Sequence, residues 1–172
     1  DYLHDQVLAP LGMAHTSFPA GAEFPDPHAQ GYTSLDDDVP EVATDWNPSW
    51  AWSAGAMIST LDDLHVWAPA VATGALLSPE MQRQRLNFVH DIGRRPDDSY
   101  GLGLFNLAGW IGHNGSLPGY QTVAVYLPQR QMTMVVLINT DITTPDGKEP
   151  SAVVANAVTA VVTPDHVYPA GA

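Results

Sequence analysis

The sequence predicts an α+β fold in which helices come first and an antiparallel sheet follows. Apolar residues recur at helical spacing in residues 61–71, the period becomes strand-like after residue 100, and a last helical stripe begins at residue 153. Helices followed by a run of strands are typical of this class. We therefore expect residues 1–99 to form part of a helical region with loops. Residues 100–172 should supply the last strands and the last helix of a sheet domain.

The first residues have the pattern of a helix that is already under way. The chain starts at Asp1 rather than Met, and no basic and then apolar leader follows. Residues 1–8 are typical of the last turns of a helix, and Pro10 and Gly12 are expected to stop it. We therefore expect the natural protein to begin further upstream, and we interpret the chain as a fragment.

A loop-rich stretch with scattered Pro, Gly and Asp is predicted for residues 12–48. Three consecutive aspartates at 36–38 predict a solvated turn. A calcium loop needs acids at alternating positions and a central glycine, and that pattern is absent.

The next segment predicts a well-delimited helix. Thr60 has Asp63 three residues later, which is the spacing of a helix-capping pair. Gly74 is a plausible C-terminal stop. The apolar positions at helical spacing are Leu61, Leu64, Trp67, Ala68 and Val71.

A second, shorter helix is predicted to begin at Ser78. A serine cap followed by Pro79 at the first helical position favours a helix that runs to about residue 86. Residues 89–99 are polar and predict a loop.

Three strands and a closing helix are predicted for the last part of the chain. The strands lie near residues 110–113, 122–127 and 132–138, with turn-like residues between the last two. They predict an antiparallel three-strand meander whose last, mostly apolar strand is buried on both faces. An apolar stripe over residues 153–161 predicts a covering helix.

Composition excludes several classes of function. The formal charge is −13, from 19 acidic and 6 basic residues, which disfavours binding to nucleic acid or to anionic membrane surfaces. No run of about 18 apolar residues occurs, so no transmembrane segment is expected. Cysteine is absent, which excludes disulfides, thiolate metal sites and a cysteine nucleophile. The seven histidines are dispersed, so neither a metal site nor a cofactor is expected.

The usual serine-nucleophile motifs are absent. No Gly-x-Ser-x-Gly elbow occurs. The only lysine is Lys148, and Pro145 stands three residues before it, so no Ser-x-x-Lys pair exists. No Tyr or Ser has Asn two positions later. These residues alone therefore cannot build a serine hydrolase of that type.

One local group of residues has the composition of a binding edge. Gly112 beside His113 allows a backbone to approach a ligand closely at a strand edge. The imidazole and the free N–H groups that follow offer donors to a developing oxyanion. A structural histidine at a strand-to-turn glycine is the alternative, and these residues alone leave both open.

With its context, this group resembles a known family. His113-Asn114-Gly115-Ser116 is similar to the third conserved element of serine β-lactamases and penicillin-binding proteins. That element is Lys-Thr-Gly in many members and His-x-Gly in D-alanyl-D-alanine carboxypeptidases and related esterases. Four other stretches agree in order, and the resemblance covers about residues 1–138. These stretches are residues 10–18, 53–64, 74–78 and 100–104. The resemblance implies the C-terminal portion of the β-lactamase/DD-peptidase-like fold.

The resemblance also implies roles for particular residues. His113 corresponds to the cationic or hydrogen-bonding member of the third element, and the N–H of Ser116 to half of the oxyanion hole. Asn114 stands where Thr is frequent and can hydrogen-bond a substrate beside Gly115. Trp50 stands where an aromatic residue walls the substrate cleft, although a core position is an equal alternative for it and its neighbour Trp52. The nucleophilic Ser, its Lys and the second element are implied upstream of this chain.

The implied function is hydrolysis of an ester or amide through a serine acyl-enzyme, as in an esterase, a D-Ala-D-Ala carboxypeptidase or a β-lactamase. In carboxypeptidases an Arg at the position of Phe105 binds the peptide carboxylate, so Phe105 favours a neutral substrate such as an ester over a peptidoglycan peptide. The alternative is a non-catalytic binding or structural module of the same family. Upstream sequence with or without Ser-x-x-Lys discriminates the two.

The implied partner of this chain is the missing N-terminal part of the same protein. In the family, strands from both ends of the chain complete the sheet, so the fragment alone is expected to expose an unpaired edge and to self-associate. The family is expected in the cell envelope or as secreted protein, while the sequence itself is compatible with the cytoplasm.

Overall fold

A computed structural model describes residues 2–34, 39–90 and 98–171. The predicted turn at residues 36–38, and residues 91–97 of the predicted loop, lie outside the described residues. The helices are α1 (Ala9–Leu11), α2 (Trp52–Gly55), α3 (Leu61–Thr73), α4 (Pro79–Arg85) and α5 (Pro150–Val162). The strands are β1 (Tyr32–Thr33), β2 (Glu41–Val42), β3 (Val89–His90), β4 (Ser99–Tyr100), β5 (Phe105–Leu107), β6 (Trp110–Leu117), β7 (Tyr120–Leu127) and β8 (Met132–Ile138).

The N-terminal helix ends where the sequence predicts, but Pro10 does not stop it. A π-helical turn over His4–Leu8 leads directly into α1, and Gly12 ends the run in the left-handed conformation with φ 71°. Pro10 lies inside α1. In the turn before it, the N–H of Ala9 bonds to the carbonyl of His4, five residues back. Since Pro10 has no N–H to donate, a widened turn before it accommodates the ring without breaking the helix.

The two central helices begin as predicted. The hydroxyl of Thr60 accepts from the N–H of Asp63 at 3.3 Å, and that of Ser78 accepts from the N–H of Met81 at 3.2 Å. Both bonds satisfy N–H groups that have no partner inside the helix. Gly74 ends α3 with φ 81°, a left-handed conformation that glycine adopts without a steric cost.

The larger sheet is antiparallel and follows chain order from β3 to β8. Its last three strands are the predicted meander, and β6 and β7 are joined by the two-residue turn Pro118-Gly119. Three short strands, β3 to β5, extend the sheet on the other side. Short strands at both ends of the predicted 89–99 loop are a correction to that expectation. The α+β class is confirmed.

Helices cover both faces of the meander. Val123 and Val125 of β7 face α5 and form a core with its Ala152 and Ala155. Ala124 lies between those valines and faces the opposite side, where α3 packs on β6, β7 and β8. The remaining core residues on the α5 side are Phe105, Leu107, Trp110, Leu127, Met134 and Tyr168.

The last strand is not buried on both faces, contrary to the prediction. Met134 is its one buried residue, and Leu137 is 41% exposed. β8 lies at one end of the strand order in the described part of the chain, so only β7 flanks it. An apolar run therefore marks an edge strand here, while β7, which has a strand on each side, holds most of the buried positions.

In the described ranges, no helix combines the length and the apolar character needed to cross a lipid bilayer.

Candidate active site

The candidate site lies where β6 loses its partner on one edge. β5 pairs with β6 only from Leu107↔Trp110 to Phe105↔Gly112. β7 pairs with the other edge as far as Leu117. Along residues 113–117 no described strand pairs with the edge that faces away from β7. We call this edge the open edge.

The pairing register determines which backbone groups face the open edge. A two-residue turn makes Leu117 and Tyr120 a hydrogen-bonded pair, and such pairs alternate with non-hydrogen-bonded ones along an antiparallel ladder. Ser116 and Asn114 therefore occupy non-hydrogen-bonded positions with respect to β7. Their N–H and C=O groups are directed to the open edge.

The imidazole of His113 is held at both nitrogens. Its Nδ1 lies 2.6 Å from the carbonyl oxygen of Asn114, and its Nε2 lies 2.7 Å from the hydroxyl oxygen of Tyr100. The ring is exposed, with its centroid 5.3 Å from that of Phe105. His113 is thus oriented by contacts rather than by burial.

Phe105 supports this ring from the core and does not line a cleft. It is 4% exposed and packs against Tyr168 as well as His113. The sequence comparison treats this position as a contact to the substrate's carboxylate end. The buried ring supplies no cation for a carboxylate, so the preference for a neutral substrate stays a prediction.

Ser116 offers its N–H rather than its hydroxyl. Its Oγ accepts from the amide nitrogen of Gln121 at 3.4 Å, and the Gln121 carbonyl accepts from the N–H of Ser151 at the start of α5. The hydroxyl is therefore directed towards the α5 side of the sheet. Asn114 also alternates to that side, so its carbonyl, not its side-chain amide, contacts His113.

Gly115 leaves space in front of the strand. A Cβ at this position would meet no heavy atom within 4 Å. It lies on the same face of β6 as His113, because the two residues are two apart in one strand. The backbone is thus accessible between the imidazole and the N–H of Ser116.

Asp141 fixes the turn that ends this strand. One carboxylate oxygen accepts from the N–H of Gly119 at 3.0 Å, and the other accepts from the hydroxyl of Thr33 on β1 at 3.0 Å. The loop layer before α2 is thereby connected to the turn next to Leu117.

Trp50 and Trp52 are not core residues. Their exposed fractions are 70% and 69%, and the ring of Trp52 packs edge-on against Phe18 with centroids 5.6 Å apart. α2 adjoins the end of β6, since a Cβ at Gly55 would lie 3.7 Å from a methyl carbon of Leu117. The core alternative is therefore wrong for both, and the role of Trp50 as a cleft wall stays a prediction.

Tyr100 is the site residue that the sequence did not reveal. It stands 13 positions before His113, and the motif around it indicates only the entry to a strand. The antiparallel register carries it to the site, because Tyr100 pairs with Phe105 and Phe105 pairs with Gly112. Long alternating strands would have indicated in the sequence that Tyr100 lies beside His113. β4 and β5 are too short to show such alternation.

Together these groups offer an N–H donor, an imidazole, a phenol and exposed aromatic rings. No cluster of three or more His, Cys, Asp or Glu side chains that could hold a metal ion occurs among residues 2–34, 39–90 and 98–171. An N–H donor beside an imidazole and a phenol is suited to bind a polarised carbonyl oxygen at the open edge.

Known proteins share this fold. The D-stereospecific amidohydrolase from a Streptomyces species is 26% identical with a TM-score of 0.74, over 81% of this chain and 43% of that one. The D-amino acid amidase from Ochrobactrum anthropi SV3, in a complex with L-phenylalanine amide, is 25% identical with a TM-score of 0.67 over the same shares. A penicillin binding protein from Bacillus halodurans is 20% identical over 83% and 45%, with a TM-score of 0.60, a likeness in fold.

The chain spans less than half the length of these three proteins. A model of the family described as Beta-lactamase matches residues 1–159. That match extends through all eight strands and most of α5. The chain belongs to the Beta-lactamase family.

Proposed function

We propose that the complete protein is a serine hydrolase that cleaves a small amide or ester through an acyl-enzyme, and that this chain supplies one side of its active site. The observation that carries the proposal is the open edge of β6, where the N–H of Ser116 is directed outward beside the oriented imidazole of His113. An N–H so placed can donate a hydrogen bond to a carbonyl oxygen and stabilise the negative charge that develops on it during acyl transfer.

The proposed reaction has two steps. A serine oxygen from the rest of the polypeptide attacks the carbonyl carbon, and the carbonyl electrons move to the oxygen that the Ser116 N–H stabilises. The serine hydroxyl loses its proton in this attack, and collapse of the intermediate expels the amine or alcohol, which gains one proton in its place. Water then cleaves the acyl-enzyme in the same way. His113 and Tyr100 line the site on the side of β6 that Gly115 leaves open.

An amide is the substrate class that we favour. The two similar proteins with identities of 25% and 26% are named as an amidase and an amidohydrolase. The absence of an Arg at position 105 is compatible with a neutral amide as well as with an ester. The exposed rings of Trp50 and Trp52 offer apolar surface to the acyl side chain of such a substrate. Peptidoglycan-type peptides and β-lactams are the competing substrates.

We expect the 172-residue chain alone to be inactive, because it contains no Ser-x-x-Lys pair. The purified chain and the complete protein should be compared on D- and L-amino acid amides, p-nitrophenyl acetate and a chromogenic cephalosporin. A serine-directed phosphonate should label the complete protein outside residues 1–172. Labelling or turnover by the chain alone, above a denatured control, would refute the expectation. A complete protein that neither turns over nor is labelled would support the non-catalytic module.

The chain alone is also expected to self-associate or to bind the N-terminal portion of the protein tightly. β8 is an edge strand in the described sheet, and Leu137 on it is exposed. Sedimentation over a wide range of concentrations should show mass increasing with concentration. Leu137→Lys places a charge on that edge and should reduce the association, whereas Gln129→Lys in the turn before β8 should not. A concentration-independent monomer would contradict this expectation.

A further inference from the structure

We propose that Tyr100 is a positioning residue, whose hydroxyl donates to Nε2 of His113 and holds the imidazole in the orientation in which Nδ1 carries the proton and donates to the Asn114 carbonyl. For its effect on turnover this rests on the proposed function, whereas the tautomer itself does not. The resemblance to the family assigns a role to His113 but none to Tyr100.

The tautomer follows from the two partners of the ring. The carbonyl oxygen of Asn114 can only accept, so the 2.6 Å contact requires a hydrogen on Nδ1 of His113. A neutral imidazole with that hydrogen has a lone pair on Nε2. The hydroxyl of Tyr100, 2.7 Å from Nε2, is then the donor. The Nδ1–H of His113 and the O–H of Tyr100 therefore account for both contacts of the ring.

The surroundings of the ring oppose the other tautomer. A hydrogen on Nε2 instead of Nδ1 would leave a nitrogen lone pair facing the lone pairs of the Asn114 carbonyl, which is repulsive. Rotation of the ring would lose both hydrogen bonds. It would also disturb the packing on Phe105 and the edge-on contact with the Tyr100 ring, whose centroid lies 5.6 Å away.

The backbone around Tyr100 is held by strand pairing and by a hydrogen bond at the next residue. Tyr100 pairs with Phe105 in the sheet, and the next residue, Gly101, donates its N–H to the carbonyl of Leu104 at 2.7 Å. This tight connection between β4 and β5 sets the position of the phenol. Gly101 has no room for a side chain, because a Cβ there would lie 2.2 Å from the carbonyl oxygen of Arg85.

The two hydrogen bonds of the ring limit what His113 can offer to a substrate. The neutral ring has no free N–H for a substrate, since Nδ1 donates to Asn114 and Nε2 accepts from Tyr100. The phenol oxygen is the atom that can still accept a hydrogen bond at the site.

The test compares tautomer and turnover in the complete protein. Two-bond ¹H–¹⁵N spectra of ¹⁵N-histidine-labelled protein, recorded where the imidazole is neutral, distinguish the protonated ring nitrogen from the unprotonated one. In the wild type we expect the proton of His113 on Nδ1. Tyr100→Phe keeps the ring and removes the hydroxyl, so the Nε2 signal should shift because that nitrogen loses its hydrogen-bond donor, while the Asn114 carbonyl keeps the proton on Nδ1. The kcat of this variant should fall roughly tenfold, as is common when a partner that orients a functional histidine is lost, while KM changes little.

Tyr126→Phe, which removes a phenol hydroxyl from β7, is the matched control and should change neither the His113 signals nor kcat. A wild-type proton on Nε2 would overturn the proposal, and that measurement needs no variant to fold. An Nε2 signal that does not move in Tyr100→Phe would also overturn it, since Tyr100 would then not be the donor to that nitrogen. If the tautomer is as expected but the complete protein hydrolyses none of the amides, the Tyr100 assignment holds and the proposed function fails.

Discussion

Replacing His113 by Ala is expected to lower the kcat of the complete protein by on the order of a hundredfold, as is typical when a positioned acid–base group is lost. The substitution removes the imidazole beside the Ser116 N–H and leaves both Tyr100 and the Asn114 carbonyl without their partner. The melting temperature should change little, because the side chain is exposed. Turnover on the best amide found and thermal unfolding should be measured on the same preparation.

His65→Ala serves as the matched control for this substitution. His65 is exposed on α3, on a helix where alanine is well tolerated, and it lies outside the open edge. It should alter neither turnover nor melting temperature. If His113→Ala keeps wild-type turnover, or if its main effect is unfolding, His113 is a structural histidine and the catalytic assignment is wrong.

The largest loss of stability is expected from Trp110→Ala. Trp110 is 1% exposed, lies in the core between the sheet and α5, and donates its indole N–H to the carbonyl of His166 at 2.8 Å. Truncating a buried Trp typically costs about 3–5 kcal/mol in the free energy of unfolding. The cavity forms directly below the strand that carries His113. Denaturant unfolding of the complete protein measures the loss.

Trp110→Phe separates the contribution of apolar packing from that of the indole hydrogen bond. It keeps a large apolar ring but leaves the His166 carbonyl without this donor, so its loss should be clearly smaller than that of Trp110→Ala. Trp50→Ala, at a side chain with 70% exposure, should change stability by about 0.5 kcal/mol or less. A similar cost for Trp110→Ala and Trp50→Ala would be incompatible with the core described above.

The sequence predicted those elements whose signals are local. The caps at Thr60 and Ser78 and the stop at Gly74 each depend on residues within four positions, and all three are present. The meander is likewise marked by long alternating runs and a Pro-Gly turn. Such elements are predictable because one side chain or one turn residue determines the backbone around it.

Elements that depend on distant partners were missed or misjudged. β3 and β4 are two residues long, and a strand that short has no period of its own. The apolar run of β8 predicted burial on both faces, but the strand order makes it an edge. Whether an apolar strand is central or peripheral depends on what pairs beside it, which alternation within the strand does not encode.

The residues of the candidate site also divide into those with a local signal in the sequence and those without one. His113 and Ser116 stand out in the sequence because a short motif contains both. Tyr100 and the supporting position of Phe105 emerge only when three strands are in register. Motif resemblance identified the strand, and the pairing of the strands identified what orients the side chain on it.

The empty space in front of Gly115 has a consequence for changing ligand preference. Packing within this chain does not require glycine there, because an added Cβ meets no neighbour. Position 115 therefore differs from Gly112, three residues earlier, where a Cβ would lie 2.2 Å from the carbonyl oxygen of Ala124. An engineer who wishes to narrow the entrance for bulky acyl groups can add a methyl or hydroxymethyl group at 115 without overfilling the core. The same change at 112 would push β6 away from β7.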